Sequence, residues 1–125
     1  MDILVTALMA LSVTPAVAQQ RRTLPFTQEQ DSDGARYVWF MNEQVGLSYP
    51  YVPAREIPKC PWWGEVPRSQ IRAGDVAWWP DFVALYDAPD KSGADLWTAP
   101  GRLRLSSEEK KRGPAKVYRR RVPVR

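Results

Sequence analysis

Histidine is absent from this chain of 125 residues, and cysteine occurs once, at Cys60. Histidine is the side chain whose ordinary pKa lies closest to neutral pH, so its absence excludes Ser–His and Cys–His catalytic pairs. A single cysteine excludes an internal disulfide, and neither a His–Cys zinc pattern nor a glycine-rich phosphate loop occurs. We therefore expect no bound metal and no cofactor.

The composition is that of a folded protein rather than a disordered one. Apolar residues make up 44% of the chain and include six Trp, which is enough to build the core of one domain. The twelve prolines indicate long ordered loops.

The first eighteen residues form an apolar run that ends in Ala16-Val17-Ala18, a small-x-small pattern typical of signal-peptide cleavage. The run is short for a membrane span of about 20 residues, although it begins with Asp2 where a basic residue is usual. We predict a signal peptide at 1–18 and a periplasmic or secreted protein; a membrane anchor or a core helix are the alternatives. The polar residues 19–30 are predicted to be a flexible lead-in to one domain at 31–125.

A helix is predicted from about residue 33 to residue 45. Apolar residues recur there at the spacing of one buried helix face: Tyr37, Phe40, Met41 and Val45. Ser32 is expected to cap the start of this helix and Gly46 to close its end.

Strands are predicted after a loop at 47–70, in which five prolines forbid a helix and disfavour a central strand. Residues 75–79 and 82–86, separated by Pro80-Asp81, predict a β-hairpin in which at least one strand is covered on both faces. Further strands are expected at 94–98, 102–105 and 116–122, and a charged loop or one helical turn at 106–113. This order predicts an α+β protein with an N-terminal helix packed on a small antiparallel sheet of four to five strands.

Five segments stand in the order of a known signature. They are Asp31-Ser32-Asp33-Gly34 for D-C-S-G, Ile71-Arg72-Ala73-Gly74-Asp75-Val76-Ala77-Trp78-Trp79 for L-x-P-G-D-L-V-F-F, Phe82-Val83-Ala84-Leu85-Tyr86 for H-V-G-I-Y, Leu96-Trp97-Thr98-Ala99-Pro100-Gly101 for the I-H-A strand and its turn, and Tyr118-Arg119-Arg120-Arg121-Val122 for the basic last strand. Together they resemble the NlpC-type cell-wall cysteine peptidases, which have a papain-like fold. The CHAP amidases, which share that fold, are a related alternative.

The resemblance implies where catalytic residues would stand. In that family a Cys at the helix start is the nucleophile, a His is the base, and a third polar residue orients the His. These roles fall on Ser32, on Phe82 and near Trp97. Ser32 has no base and Phe82 cannot move a proton, so the resemblance implies the fold of a peptidase without its catalytic residues.

Two other catalytic arrangements stay open. Cys60 lies beside Lys59, which could activate its thiol, but a loop thiol without a base is the favoured interpretation. Paired carboxylates could hydrolyse a sugar bond, yet we favour a turn-capping Asp75 and solvated loop acids. The acids concerned are Asp75, Asp81, Asp87, Asp90 and Asp95.

Charge is distributed unevenly along the chain. Residues 102–125 carry ten basic and two acidic residues, a net +8, whereas residues 1–101 carry a net −4. This asymmetry predicts an anionic partner, such as lipid head groups, peptidoglycan carboxylates or an acidic protein, with Arg119, Arg120 and Arg121 as candidate contacts. A solvated edge strand protected by its arginines is the alternative, and nucleic acid is not expected, because no base-stacking motif interleaves with the charges.

Aromatic residues supply candidate ligand-binding positions, because flat rings stack on sugars. The candidates are Trp62, Trp63, Trp79, Phe82 and Trp97. Alternation along a strand places Trp78 and Trp79 on opposite faces, and most of the six Trp are expected in the core.

These patterns lead to one functional hypothesis and one alternative. The hypothesis is a non-catalytic NlpC-like envelope protein that binds peptidoglycan or an envelope protein. The alternative is a peptidoglycan hydrolase of the same family, a cysteine peptidase or amidase, with a degenerate site that uses Cys60 or Ser32.

Overall fold

A computed structural model describes residues 24–122 of the chain, so the predicted signal peptide at 1–18 lies outside the described residues. The described part is an α+β unit with one antiparallel sheet. Its helices are α1 (Ala35–Gln44) and α2 (Leu105–Arg112), with 3₁₀ turns at Ala54–Lys59 and Arg68–Gln70. Its strands are β1 (Trp63–Val66), β2 (Val76–Trp79), β3 (Phe82–Tyr86), β4 (Leu96–Trp97), β5 (Arg102–Leu103) and β6 (Lys116–Arg120).

The sheet has six strands in the order β1-β6-β2-β3-β4-β5. The predicted count of four to five strands was wrong, because β1 lies inside the segment predicted to be a loop. Pro61 and Pro67 flank this strand, where a missing N–H costs no ladder bond. The strand forms at the sheet edge by pairing with β6, more than 50 residues later, with Trp63 opposite Arg120 and Val66 opposite Val117.

The predicted β2–β3 hairpin is confirmed. Val76 pairs with Leu85 and Trp79 with Phe82 across a two-residue turn. The strands are covered on both faces, as expected: Val76 and Val83 pack in the cluster beneath α1, whereas Ala77 and Ala84 pack in the cluster beneath α2.

Helix α1 occupies the predicted region with a shorter span and a different residue at its start. Its end is as predicted: Gly46, with φ +80°, follows the last helical turn and its N–H donates to Glu43 O at 3.2 Å. Tyr37 and Met41 are buried, but Val45 is 43% exposed at the helix end and belongs to no buried face. Gly34, with φ +82°, precedes the helix. The side-chain acceptor at the helix start is Asp33 Oδ1, 3.0 Å from the Ala35 nitrogen, and not Ser32.

Helix α2 is two turns long where the sequence predicted a loop or a single turn. Its sequence, LSSEEKKR, has little apolar content. Tertiary contacts account for it: the Leu105 N–H donates to Asp95 Oδ1 at 2.7 Å, and the Leu105 side chain packs against Trp79 and Leu96. Neither described helix is long and apolar enough to cross a membrane.

Candidate functional site

Asp33 joins three segments at the start of α1. Its carboxylate accepts the Ala35 N–H at 3.0 Å and, through Oδ2, the Ala54 N–H at 2.8 Å. Its backbone carbonyl accepts the Val83 N–H at 2.9 Å. Asp33 therefore holds the helix start, the first 3₁₀ turn and the beginning of β3 together at one junction.

Ser32 and Phe82 lie on the two sides of this junction. A Cβ built on Gly34 would be 3.7 Å from Phe82 Cε1. The Ser32 side chain is exposed. The Phe82 ring is half-buried against Trp79, with the two ring centroids 5.8 Å apart.

Arg112 covers the exposed face of Phe82. Its guanidinium carbon lies 4.0 Å from the Phe82 ring centroid. Glu108, which is buried, accepts from Arg112 Nε at 3.1 Å, and Asp81 lies 3.6 Å from Arg112 Nη1. This arrangement puts a cation–π contact, not a titratable base, at the junction. Sequence reasoning missed it, although Glu108 and Arg112 stand at the i,i+4 spacing of a helical ion pair.

Trp97 does not meet Ser32 and Phe82. It pairs with Leu85, three residues beyond Phe82, and an odd spacing places side chains on opposite faces of a strand. Trp97 packs with Tyr37 and Met41 beneath α1, and its indole N–H donates to Asp87 Oδ2 at 3.3 Å. Trp97 and Phe82 therefore lie in different clusters, so the three family-equivalent positions do not converge on one cleft.

The candidate aromatic side chains differ in how much of their surface is exposed to solvent. Trp63 and Trp79 are each 2% exposed and Trp97 is 4% exposed, so protein covers their rings. Trp62 and Phe82 are half-buried, and because Arg112 covers the open face of Phe82, Trp62 is the candidate with ring surface left for a ligand. Trp78 and Trp79 face opposite sides of the sheet, as predicted: Trp78 donates to Ala54 O and Trp79 to Gly113 O.

The three candidate anion-binding arginines have different surroundings. Arg119 forms a two-bond ion pair with Asp75 at 2.8 and 2.9 Å. Arg120 donates to Leu47 O at 2.8 Å and to Trp62 O at 3.1 Å, and burial lowers the pKa of its guanidinium. Arg121 donates to Pro61 O at 3.0 Å.

The remaining candidate residues have internal roles. Cys60 is 8% exposed and packs with Tyr49, Ile57 and Trp63. Asp75 is buried and accepts the Arg72 N–H at 3.0 Å, as a turn cap should. Within residues 24–122, no group of three His, Cys, Asp or Glu side chains is arranged to hold a metal ion.

An open groove of about 380 Å³ lies where β1 meets β6, on the same side of the sheet as α2. Val66, Ala115 and Val117 contribute apolar surface, and Arg68 and Lys116 contribute charge. This groove is not predictable from the sequence, because the residues of β1 were expected to belong to a loop.

Asp31 is the titratable group next to Ser32. Burial raises the pKa of its carboxyl to about 6, against the opposing effect of the Arg36 and Tyr37 backbone N–H groups. Its Oδ1 accepts the Arg36 N–H at 2.8 Å, so the carboxylate is directed at the helix backbone.

Replacing Asp31 with Asn is expected to change the pH dependence of stability. Because the folded state holds the Asp31 proton more tightly than the unfolded chain does, this group's stabilisation is complete below pH 4 and is lost as the pH rises through about 6. The free energy of unfolding of the native chain, relative to Asp31→Asn, should therefore fall by about 1 kcal/mol between pH 4 and pH 7, a value reduced for partial exposure. Urea unfolding at several pH values measures it.

Asp90→Asn is the control for this experiment. The hydrogen bond from Ser92 holds the pKa of the Asp90 carboxyl below its usual range, so its contribution is present at neutral pH and is lost in acid. A difference between the native chain and Asp31→Asn that stayed flat from pH 4 to pH 7 would contradict the assignment of Asp31.

Neither a protein-family model, a curated protein sequence nor a solved structure matches this chain.

Proposed function

We propose that the chain is a non-catalytic, NlpC-like envelope protein that binds peptidoglycan or a protein partner at the cell wall. The observation that carries the proposal is the junction of α1 and β3, where Phe82, the residue that the resemblance assigns to the base position, lies beneath the Arg112 guanidinium at 4.0 Å. A phenyl ring cannot accept the proton of a nucleophile, so acyl transfer at Ser32 has no base in this position.

The ring of Trp62 supports the binding part of the proposal. It is half-buried, and the Arg120 guanidinium lies 5.6 Å from its centroid, which holds the ring in place. Large rigid aromatic side chains lose little entropy on binding and carry much of the energy at recognition surfaces. Trp62 is therefore the side chain from which we expect the largest loss of binding.

The proposal predicts pelleting with purified sacculi without release of soluble muropeptides. Trp62→Ala should weaken pelleting about tenfold, the loss typical of an aromatic anchor. Phe26→Ala is the matched control, since Phe26 is also a half-buried ring but packs on Phe40 in another cluster. This control should leave pelleting unchanged.

Turnover assays separate the proposal from the hydrolase alternative. Muropeptide release that is abolished by Ser32→Ala or Cys60→Ala would overturn the proposal and identify the nucleophile. Absence of pelleting, together with no envelope protein captured on the purified chain, would overturn the binding role.

A further inference from the structure

The exposed large apolar side chains of residues 24–122 stand in two segments of the chain that a hydrogen bond from Arg120 connects. They are Val45 at 43%, Leu47 at 44% and Val122 at 72% exposure. Arg120 joins their segments, because its Nη2 donates to Leu47 O at 2.8 Å and it lies two residues before Val122. Leu47 carries the carbonyl that Arg120 binds, and Val45 lies two residues before Leu47. All three apolar residues therefore belong to the two segments that Arg120 connects.

Two cations in these segments keep their charge uncompensated. Arg120 and Arg121 donate to the backbone carbonyls of Leu47, Trp62 and Pro61, and within the described chain neither forms an ion pair with a carboxylate. A carbonyl satisfies a guanidinium hydrogen bond but does not neutralise it. Arg119, the neighbour in sequence, shows the contrast, since Asp75 compensates its charge at 2.8 Å.

Trp62 completes the surface. Four other indole N–H groups donate to protein acceptors, those of Trp39, Trp78, Trp79 and Trp97. The half-buried Trp62 has its ring beside Arg120 and its backbone carbonyl bound to the Arg121 N–H at 2.9 Å. An amphipathic ring beside cations and aliphatic side chains is the combination that occurs at membrane–water interfaces.

We propose that this surface, formed by Val45, Leu47, Trp62, Arg121 and Val122, docks on a bilayer that contains anionic lipids. The Arg121 guanidinium would face lipid phosphates, while the aliphatic side chains enter the boundary between head groups and acyl chains. A bilayer suits the surface because its apolar side chains stand out at 43–72% exposure beside Arg121, a cation that forms no ion pair with a carboxylate of the described residues. The partner proposed here is a lipid bilayer, whereas the partner proposed above is peptidoglycan or a protein at the cell wall.

The test is flotation of the full chain with two kinds of vesicle, phosphatidylcholine alone and phosphatidylcholine with about one-third phosphatidylglycerol. The readout is the difference in bound protein between the two kinds of vesicle, because the apolar run at residues 1–18 would partition into both kinds. We expect binding that requires phosphatidylglycerol and weakens several-fold in high salt, since Arg121 is exposed.

Three variants locate the binding. Leu47→Ser combined with Val122→Ser removes the apolar side chains at constant charge and should weaken the lipid-dependent part about tenfold. Arg121→Gln should weaken the phosphatidylglycerol-dependent binding and reduce the salt dependence of that binding. Lys110→Gln removes an exposed cation on α2 and should leave binding within about twofold of the native chain.

Equal binding to both vesicles, or loss in Lys110→Gln as large as in the Leu47 and Val122 double variant, would overturn the proposal. Binding of this surface to an acidic protein but to neither vesicle would also overturn it. The double variant keeps Trp62, so its pelleting with sacculi reports separately on the cell-wall ligand.

Discussion

Replacing Arg119 with Met is expected to lower the free energy of unfolding by about 3–5 kcal/mol. The Asp75 side chain is 2% exposed, and Arg119 provides its two shortest partners, at 2.8 and 2.9 Å. The variant would leave a carboxylate buried on the sheet with the Arg72 N–H as its remaining donor. Removing one member of a buried pair costs far more than the pair itself contributes, because the surviving charge keeps its desolvation penalty.

A second substitution tests that cause. Asp75→Asn in the Arg119→Met background removes the stranded charge and should recover part of the lost stability, giving a coupling energy above about 1 kcal/mol in a double-mutant cycle. Arg68→Met is the matched control, since Arg68 also binds a carboxylate, Glu109, with two hydrogen bonds, but its side chain is 47% exposed. The control should cost about 1 kcal/mol or less; equal losses in the two pairs would contradict the argument from burial.

Replacing Gly34 with Ala is expected to be comparably severe, with a loss of about 4 kcal/mol. Gly34 has φ +82°, which a side chain disfavours, and the new Cβ would collide with the Val83 carbonyl oxygen. That oxygen belongs to the backbone of β3 and cannot rotate away. Relief would require the start of α1 to withdraw from β3, which breaks the 2.9 Å bond from the Val83 N–H to Asp33 O.

Gly46→Ala separates the collision from the backbone strain. Gly46 has nearly the same dihedral, φ +80°, but no atom lies within 4 Å of its Cβ position. We expect this control to cost about 1 kcal/mol, the penalty of the left-handed conformation alone. Thermal and urea unfolding of both variants measure the difference in stability loss. Similar losses in the two variants would mean that the α1–β3 junction shifts to accommodate the new Cβ and would contradict the predicted collision.

The arrangement around Arg112 puts an aromatic ring and a cation in contact at the α1–β3 junction. Phe82 fills the space between Trp79 and Arg112, and Glu108 and Asp81 hold the guanidinium. The proposal of a non-catalytic binding protein rests on Phe82, which cannot accept a proton, at this junction. The proposal of a lipid-docking surface rests on Arg121 and the exposed apolar side chains near it, and the two proposals share Trp62.

The sequence alone was sufficient for features whose partners are close along the chain. The β2–β3 hairpin joins neighbouring residues through a two-residue turn, and α1 forms where apolar residues recur at helical spacing. Composition alone also excluded His-based catalysis, because that conclusion needs no coordinates.

Only the tertiary structure decided the features whose partners are distant. Strand β6 lies between β1 and β2, so β1 depends on a partner more than 50 residues away. The N–H group of Leu105 meets Asp95 only after the chain has folded, which accounts for a two-turn helix in a charged segment. Arg119 and Arg120 are neighbours in sequence, yet one meets a buried carboxylate and the other backbone carbonyls. The physical reason is the same throughout: local propensity is a property of the sequence, whereas hydrogen-bond and charge partners are chosen by whichever group the fold brings within about 3 Å.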